Sequence, residues 1–443
     1  MIKRLEDIQL KTCEEIRGDI VCTVFPKRNS DDGGNNSKKH NHRGFDKTNL
    51  KSIKNVGRRL SNEIWITSNY SSTSESLHKI HEATENAFLQ MKSVFASNGI
   101  RPQQILQIIA VLNQSLSSDV FNTFNKAYAL QLDRWLREDV NNKTSREHEV
   151  VSSYMPTRVC ICMNSISHEI SVHSKEAFCV NLSAIIYYGN VDICGWIDSL
   201  RGLYVQSISH WAPANIGPYS QAIAVPLSFV QSDDCSSPSS TEYFTFYSGQ
   251  IGLIPELEVL PSQNDHFMNS SEASAIESWL AIRHCHRLMK YMSISELWMN
   301  LFLGICYATN DDSMTLARNH FHLVVCVPAL LNADSHEICY CSKCVVWLIV
   351  SGLPKDAVVE WQWITGPFTS LITTSSNTVV HDDPTIPSNT FMLFYQYDYY
   401  RLNKQKLSKL LGNYTGFVLP VVKFDNPSVN AVFVSVQNKY LSQ

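Results

Sequence analysis

The sequence predicts an α+β fold of two tandem units, each a mixed sheet with two helices on one face. Three observations predict it. Strand and helix periodicities alternate from residue 62, and the alternation restarts after residue 203. The chain has 443 residues, 44% hydrophobic and 18% charged, enough apolar content for more than one buried core. The boundaries read as 1–60 for an N-terminal segment and flexible linker, 61–200 for the first unit, and 201–443 for the second with a C-terminal extension.

Each element has its own signal. Residues 29–60, opening "NSDDGGNNSKKHNH", are polar and poor in apolar side chains, as a linker is. "NEIWITSNY" (62–70) alternates like a strand. From Ser74, a plausible N-cap, Leu77, Ile80, Thr84, Ala87, Met91 and Phe95 keep helical spacing until Gly99 stops it. "ILQIIAVLN" (105–113) is a strand rich in isoleucine and valine. "DVFNTFNKAYALQLDRWL" (119–136) is a second amphipathic helix, and "TRVCICM" (157–163) and "FCVNLSAIIYYG" (178–189) are strands. The second unit repeats the pattern with strand 242–253, helix 271–292, a strand within 296–308, and strand, Leu-Pro turn and strand in 344–364. Each sheet then has one bare face, which a sister unit or a second chain must cover. Self-association through sheet faces is therefore expected.

Composition excludes several functions. A net charge of −4 offers no basic surface for nucleic acid. No apolar run approaches the ~20 residues of a membrane helix. Nine charged residues within 1–20 exclude a secretory leader there. Thirteen scattered cysteines, an odd number, fit reduced thiols and a cytoplasmic location.

The most distinctive string is "SHWAPANIGPYSQAI" (209–223), a rigid Pro/Gly loop delivering Tyr219, Ser220 and Gln221. With "YSGQIGL" (247–253) and "LPKDAVVEW" (353–361) it resembles, in order and spacing, the Rid family, also called YjgF or L-PSP endoribonuclease-like. The first unit matches more weakly, through "YMPTRVCICM" (154–163), similar to that family's Pro-x-Arg-x-Cys strand. The resemblance implies a chorismate-mutase-like fold, trimeric assembly and sites at subunit interfaces. "LYVQSISHWAPANIGPYSQAI" (203–223) behind a degenerate Rid-like unit further resembles the C-terminal region of the eukaryotic diphthine–ammonia ligase family. Members of that family amidate diphthine on translation elongation factor two with ATP, so that factor is the partner the resemblance implies. Their phosphate-cradling Ser-Gly-Gly-Lys-Asp-Ser loop does not occur here; "DDGGNNSKK" lacks the flanking strand and helix. No cofactor is expected in this chain, and ATP only with an N-terminal domain that it lacks. The chain then reads as the scaffold or docking portion of such a ligase.

Active Rid enzymes bind a carboxylate with an arginine and activate water with a glutamate fifteen residues later; a guanidinium fork matches a carboxylate bidentately. The second unit keeps Tyr219, Ser220, Gly249, Gln250 and Glu360, but fifteen residues before Glu360 stands Val345. The first keeps Arg158 and Cys160, but Asn181 stands at the glutamate's position. Each unit holds what the other lacks. Arg158 and Glu360 are therefore the candidate catalytic pair of a composite site, with Tyr219, Ser220, Gly249 and Gln250 as ligand-binding residues. The other reading makes both charges structural, and lone charged residues in strands favour it.

His336, Cys339, Cys341 and Cys344 in "HEICYCSKC" lack the paired Cys-x-x-Cys knuckles of a zinc site, and reduced thiols on a loop and strand are the better reading. No metal is expected. "FMLFYQYDYY" (391–400) reads as sheet packing, having no basic groove beside it for base stacking. Three functions remain: part of a diphthine–ammonia ligase, an independent Rid-type imine deaminase, or a non-catalytic small-ligand module.

Overall fold

The computed structural model describes residues 22–24, 74–97, 99–112, 116–138, 155–163, 180–187, 193–226, 243–264, 270–292, 301–326 and 345–366, and strands between 371 and 436. The strand expected at 62–70, the linker motifs and "HEICYCSKC" lie outside them.

In the first unit, helix α1 (Ser74–Ser97) precedes strand β2 (Ile105–Leu112), helix α2 (Ser118–Glu138), and strands β3 (Thr157–Cys162) and β4 (Val180–Ile186). Ser74 is the first residue of α1 rather than its cap. Gly99 ends the helix region at φ +66°, a conformation that suits glycine. The strand order is β3-β2-β4, with β2–β3 parallel and β2–β4 antiparallel. A parallel pair needs a crossover, and α2 supplies it.

Helix α3 (Ile193–Ser199) leads to the second unit, which opens on β5 (Arg201–Val205), β6 (Ala222–Pro226), β7 (Tyr243–Tyr247) and β8 (Gln250–Ile251). It continues with α4 (Ser270–Tyr291), β9 (Leu301–Ala308), α5 (Asp311–Phe321), β10 (Val345–Ile349) and β11 (Val359–Thr365). These strands align as β5-β6-β7-β11-β9-β10, with β8 also on β11. Strand β1 (Cys22–Val24) extends the sheet beside β5, and β15 (Lys423–Phe424) extends it beside β10.

One face of this sheet packs on the helices through Ala281, Cys285, Met289, Met314 and Phe321 against Cys306, Trp361 and Trp363. The opposite face, with Ile223, Phe246, Ile305, Tyr307 and Leu348, joins one continuous core with the first unit. The bare face is thus covered from within the chain. Period-two alternation in β11 sends Trp361 and Trp363 toward the helices, and Glu360 and Gln362 toward the first unit. Gln362 Nε2 donates to Gln107 Oε1 at 2.6 Å, and Gln107 Nε2 donates to the Tyr247 carbonyl at 2.9 Å. The two sheets are therefore joined by a buried amide chain as well as by apolar contact.

Strands β12 (Leu371–Ser376), β13 (Thr390–Gln396), β14 (Phe417–Val421) and β16 (Ala431–Val436) form a separate sheet ordered β12-β16-β13-β14. Two antiparallel pairs and one parallel pair follow in the same sequence as β7-β11-β9-β10. The stretch read as a C-terminal extension carries the ladder of a third, partial unit. Its sequence kept little of that signal, since only "FVLPVVKF" echoes the strand and Leu-Pro motif.

Candidate functional site

Strand β3 is an edge strand, so its outward N–H and C=O groups need partners. The second unit supplies them. Ser220 N–H donates to the Pro156 carbonyl at 3.1 Å, and Gly249 N–H to the Arg158 carbonyl at 3.0 Å. Arg158 N–H donates to Ser248 Oγ at 2.9 Å, and Cys162 N–H to the Gly352 carbonyl at 2.9 Å. Between these, Cys160 N–H donates to the Glu360 carboxylate. Docking this edge brings Arg158 and Glu360 to one cleft.

The cleft draws Phe121, Arg158 and Cys160 from the first unit. The second contributes Pro213, Ala214, Ile216, Tyr219 and Gln221 from the Pro/Gly loop, Gly249 to Ile251, Leu253, Pro354 and Glu360. Arg158 and Glu360 are each 3% exposed. The Arg158 guanidinium lies over the rings of Tyr128 and Tyr219, at 4.8 and 4.9 Å, and within 6 Å of Phe121 and Phe124. Its Nη2 donates to Asn125 Oδ1 at 2.7 Å, while Nη1 has no hydrogen-bond partner. Glu360 Oε2 is likewise unpartnered. Among the described residues no ion pair closes between the two. Each residue keeps one polar atom without a hydrogen-bond partner, and both residues line the cleft.

Burial governs the electrostatics. It pushes the Glu360 carboxyl up to about 8 against the opposing pull of Arg158 and the Cys160 N–H. The Cys160 thiol is pushed up to about 12 by burial, so it is no thiolate nucleophile near neutral pH. Tyr219 is raised well beyond the ordinary phenol range for the same reason and stays a neutral ring.

Strand registers explain the division between units. Asn181 opposes Val111, which pairs with Ile161, and Arg158 lies three residues before Ile161. Glu360 opposes Tyr307, which pairs with Leu348, and Val345 lies three residues before Leu348. Arg158 and Val345 thus hold equivalent positions, as do Asn181 and Glu360.

The structure moves one residue named from sequence. Ser220 does not line the cleft: its hydroxyl donates to the Met155 carbonyl at 2.6 Å, and its carbonyl accepts from Ser248 Oγ at 2.6 Å. It fastens the two units instead. Gly249 has a steric role, because a Cβ there would lie 1.6 Å from Glu360 Oε1. Gly217 is constrained less tightly, its Cβ position lying 2.6 Å from Arg158 Nη2. Sequence reasoning missed Asn125, which holds Arg158 and donates to the Ile216 carbonyl at 3.2 Å. It is one polar residue on an amphipathic helix, and no motif marks it. Among the described residues no three His, Cys, Asp or Glu side chains gather as metal ligands.

No protein-family model matches the chain. It is 32% identical over 170 residues to the diphthine–ammonia ligase of Schizosaccharomyces pombe, a match covering 38% of this chain and 22% of that protein. With the diphthine–ammonia ligase of Saccharomyces cerevisiae it shares 26% identity over 317 residues, 69% of this chain and 37% of that one. Over these stretches the chain is similar to diphthine–ammonia ligases. The chain spans well under half the length of the curated relatives it matches. Among solved structures, a chorismatase is 13% identical with TM-score 0.36, over 68% of this chain and 73% of its own. RidA from an Antarctic Psychrobacter is 17% identical with TM-score 0.23, over 36% and 95%. In this chain, Arg158 and Glu360 line one cleft between two tandem units. No helix among the described residues is long and apolar enough to cross a membrane.

Proposed function

We propose that this chain serves diphthamide biosynthesis as the Rid-like region of a diphthine–ammonia ligase, and that its inter-unit cleft binds a small carboxylate. The supporting observation is the convergence of Arg158 and Glu360, each with an unpartnered polar atom. Arg158, held by Asn125 and flanking rings, presents a fixed donor to a carboxylate. Glu360, with its carboxyl pushed up to about 8, holds a proton near neutral pH and can exchange it with a bound group or water. The ATP-dependent step, and translation elongation factor two as protein substrate, belong to this proposal through the family resemblance. The same pair also favours a second reading, hydrolysis of a carbon–nitrogen double bond.

Calorimetry with 2-oxobutanoate tests the cleft. The parent should bind it, and Arg158→Ala should weaken binding by about 1.5–3 kcal/mol, as for loss of a charge-assisted hydrogen bond. Glu360→Gln should impair any imine hydrolysis more than binding. Equal binding by parent and Arg158→Ala would overturn the reading.

A further inference from the structure

The cleft in this conformation is too small for the ligand it would take. Its cavity volume is about 20 Å³, room for one water molecule, and 2-oxobutanoate is several times larger. Arg158 and Glu360 are each 3% exposed, so a ligand reaches them only if part of the wall moves. Much of that wall is set in strands: β3 holds Arg158 and Cys160, β8 holds Gln250 and Ile251, and β11 holds Glu360. Pro354 is different. It lines the cleft from the turn Pro354–Asp356, which lies between β10 and β11 and whose flanks, Leu353 and Ala357, are sunk in the core shared by the units. The turn is strained, because Lys355 and Asp356 have φ of 59° and 63°, a left-handed backbone that suits glycine. Its own backbone bonds, from Asp356 N–H to the Leu353 carbonyl and from Ala357 N–H to the Pro354 carbonyl, are both long at 3.2 Å. Among the described residues one other non-glycine residue has positive φ, Glu258 at 56°, and the turn is tied to it. Lys355 Nζ donates to the Glu258 carbonyl at 2.8 Å, and Gln263 Nε2 donates to the Lys355 carbonyl at 3.2 Å. The Glu258 carboxylate in turn accepts from the N–H of Ala214, a cleft residue of the Pro/Gly loop, at 2.7 Å.

We propose that the Pro354–Asp356 turn is a lid over the cleft, closed in this conformation and fastened by Lys355 on Glu258. The inference rests on the reading of the cleft as a ligand site and adds how a ligand enters it. Leu353 and Ala357 are the fixed ends, held by the core. Lys355 and Asp356 absorb the backbone rotation, and lifting the turn relieves their strain. The two ties at Lys355 and the seat of Pro354 hold the lid down, and no strand ladder has to break when it opens.

Cys160 lines the cleft, so its thiol reports opening without any ligand. The test follows labelling of Cys160 in the full chain by methyl methanethiosulfonate, resolved by peptide mass spectrometry. Cys285, buried between the second sheet and its helices, is the reference for global unfolding. In the parent, Cys160 should be labelled slowly, yet faster than Cys285. Lys355→Met keeps an unbranched stem and removes the donor, and should speed Cys160 by roughly tenfold, the scale of one hydrogen bond to a charged group, with Cys285 unchanged. Lys355→Arg supplies a donor again and should bring the rate back close to the parent's. Equal rates for Cys160 and Cys285 in the parent, no gain in Lys355→Met, or the same gain in Lys355→Arg would overturn the lid. Should Lys355→Met lose its fold, seen as Cys285 labelled in step with Cys160, Gln263→Leu removes the second tie and decides in the same assay. Faster labelling of Cys160 alone then supports the lid, and unchanged labelling overturns it. No arm uses 2-oxobutanoate, so failure of the lid is told apart from failure of the carboxylate reading.

Discussion

Replacing Glu360 by glutamine should make the protein more resistant to unfolding at alkaline pH, with a predictable pH window. In the folded chain burial lifts the Glu360 carboxyl from 4.5 to about 8. Below 4.5 both folded and unfolded states hold the proton. Between 4.5 and about 8 the unfolded chain has released it and the folded chain has not, so stability falls as pH rises. Above about 8 the loss is complete and stays constant. At ~1.4 kcal/mol per pH unit, the span corresponds to about 3–5 kcal/mol between pH 4.5 and 9. Glutamine cannot ionise, keeps an oxygen to accept from the Cys160 N–H, and adds one buried NH₂ group. That group makes the variant equal to the parent or slightly weaker at pH 5, so the two curves should cross. Urea unfolding followed by tryptophan fluorescence is suited to this, because Trp361 and Trp363 are buried in the same strand. The difference in midpoint, variant minus parent, should rise from pH 5 to 8 and level off by pH 9. Glu277, pushed by burial to about 7, is common to both proteins and cancels in that difference. A difference that is flat with pH, or that falls, would refute the account of a carboxyl kept protonated by burial.

Other substitutions probe the site and its frame. Gly249→Ala should displace Glu360 and abolish carboxylate binding, at a cost of about 1–3 kcal/mol for overpacking. Gly99→Ala, strained at φ +66° with nothing within 4 Å, should lose about 1 kcal/mol and leave the cleft untouched, which thermal melts and calorimetry on both variants would distinguish. Gln107→Leu strands the Gln362 amide and the Tyr247 carbonyl between the sheets, and should lower stability by about 1–3 kcal/mol for each unpaired group, measured by denaturant unfolding. Asn125→Asp should place a carboxylate against Arg158 and suppress binding of 2-oxobutanoate while the far-UV spectrum stays that of the parent.

The sequence by itself determined the elements and their repetition. Helical spacing from Leu77 to Phe95, the stop at Gly99 and alternation in the strands are local properties, written within a few residues of where they act. The same local logic showed that each unit lacks one charge of the pair, because the Arg158 and Val345 positions can be counted along their own strands. Only the tertiary structure decided that the two halves meet. The free edge of β3 needs partners, and the Ser220 and Ser248–Gly249 segments meet that need from 62 and 90 residues away, counting from Arg158. No pattern within either segment names the other. Likewise the hydroxyl of Ser220 looked available from its loop motif, yet the Met155 carbonyl claims it once the units dock. Asn125 could not be singled out at all, because its role exists only where α2, β3 and the Pro/Gly loop converge. A side chain's chemistry is carried by the sequence, but its partner is set by packing between segments far apart in the chain.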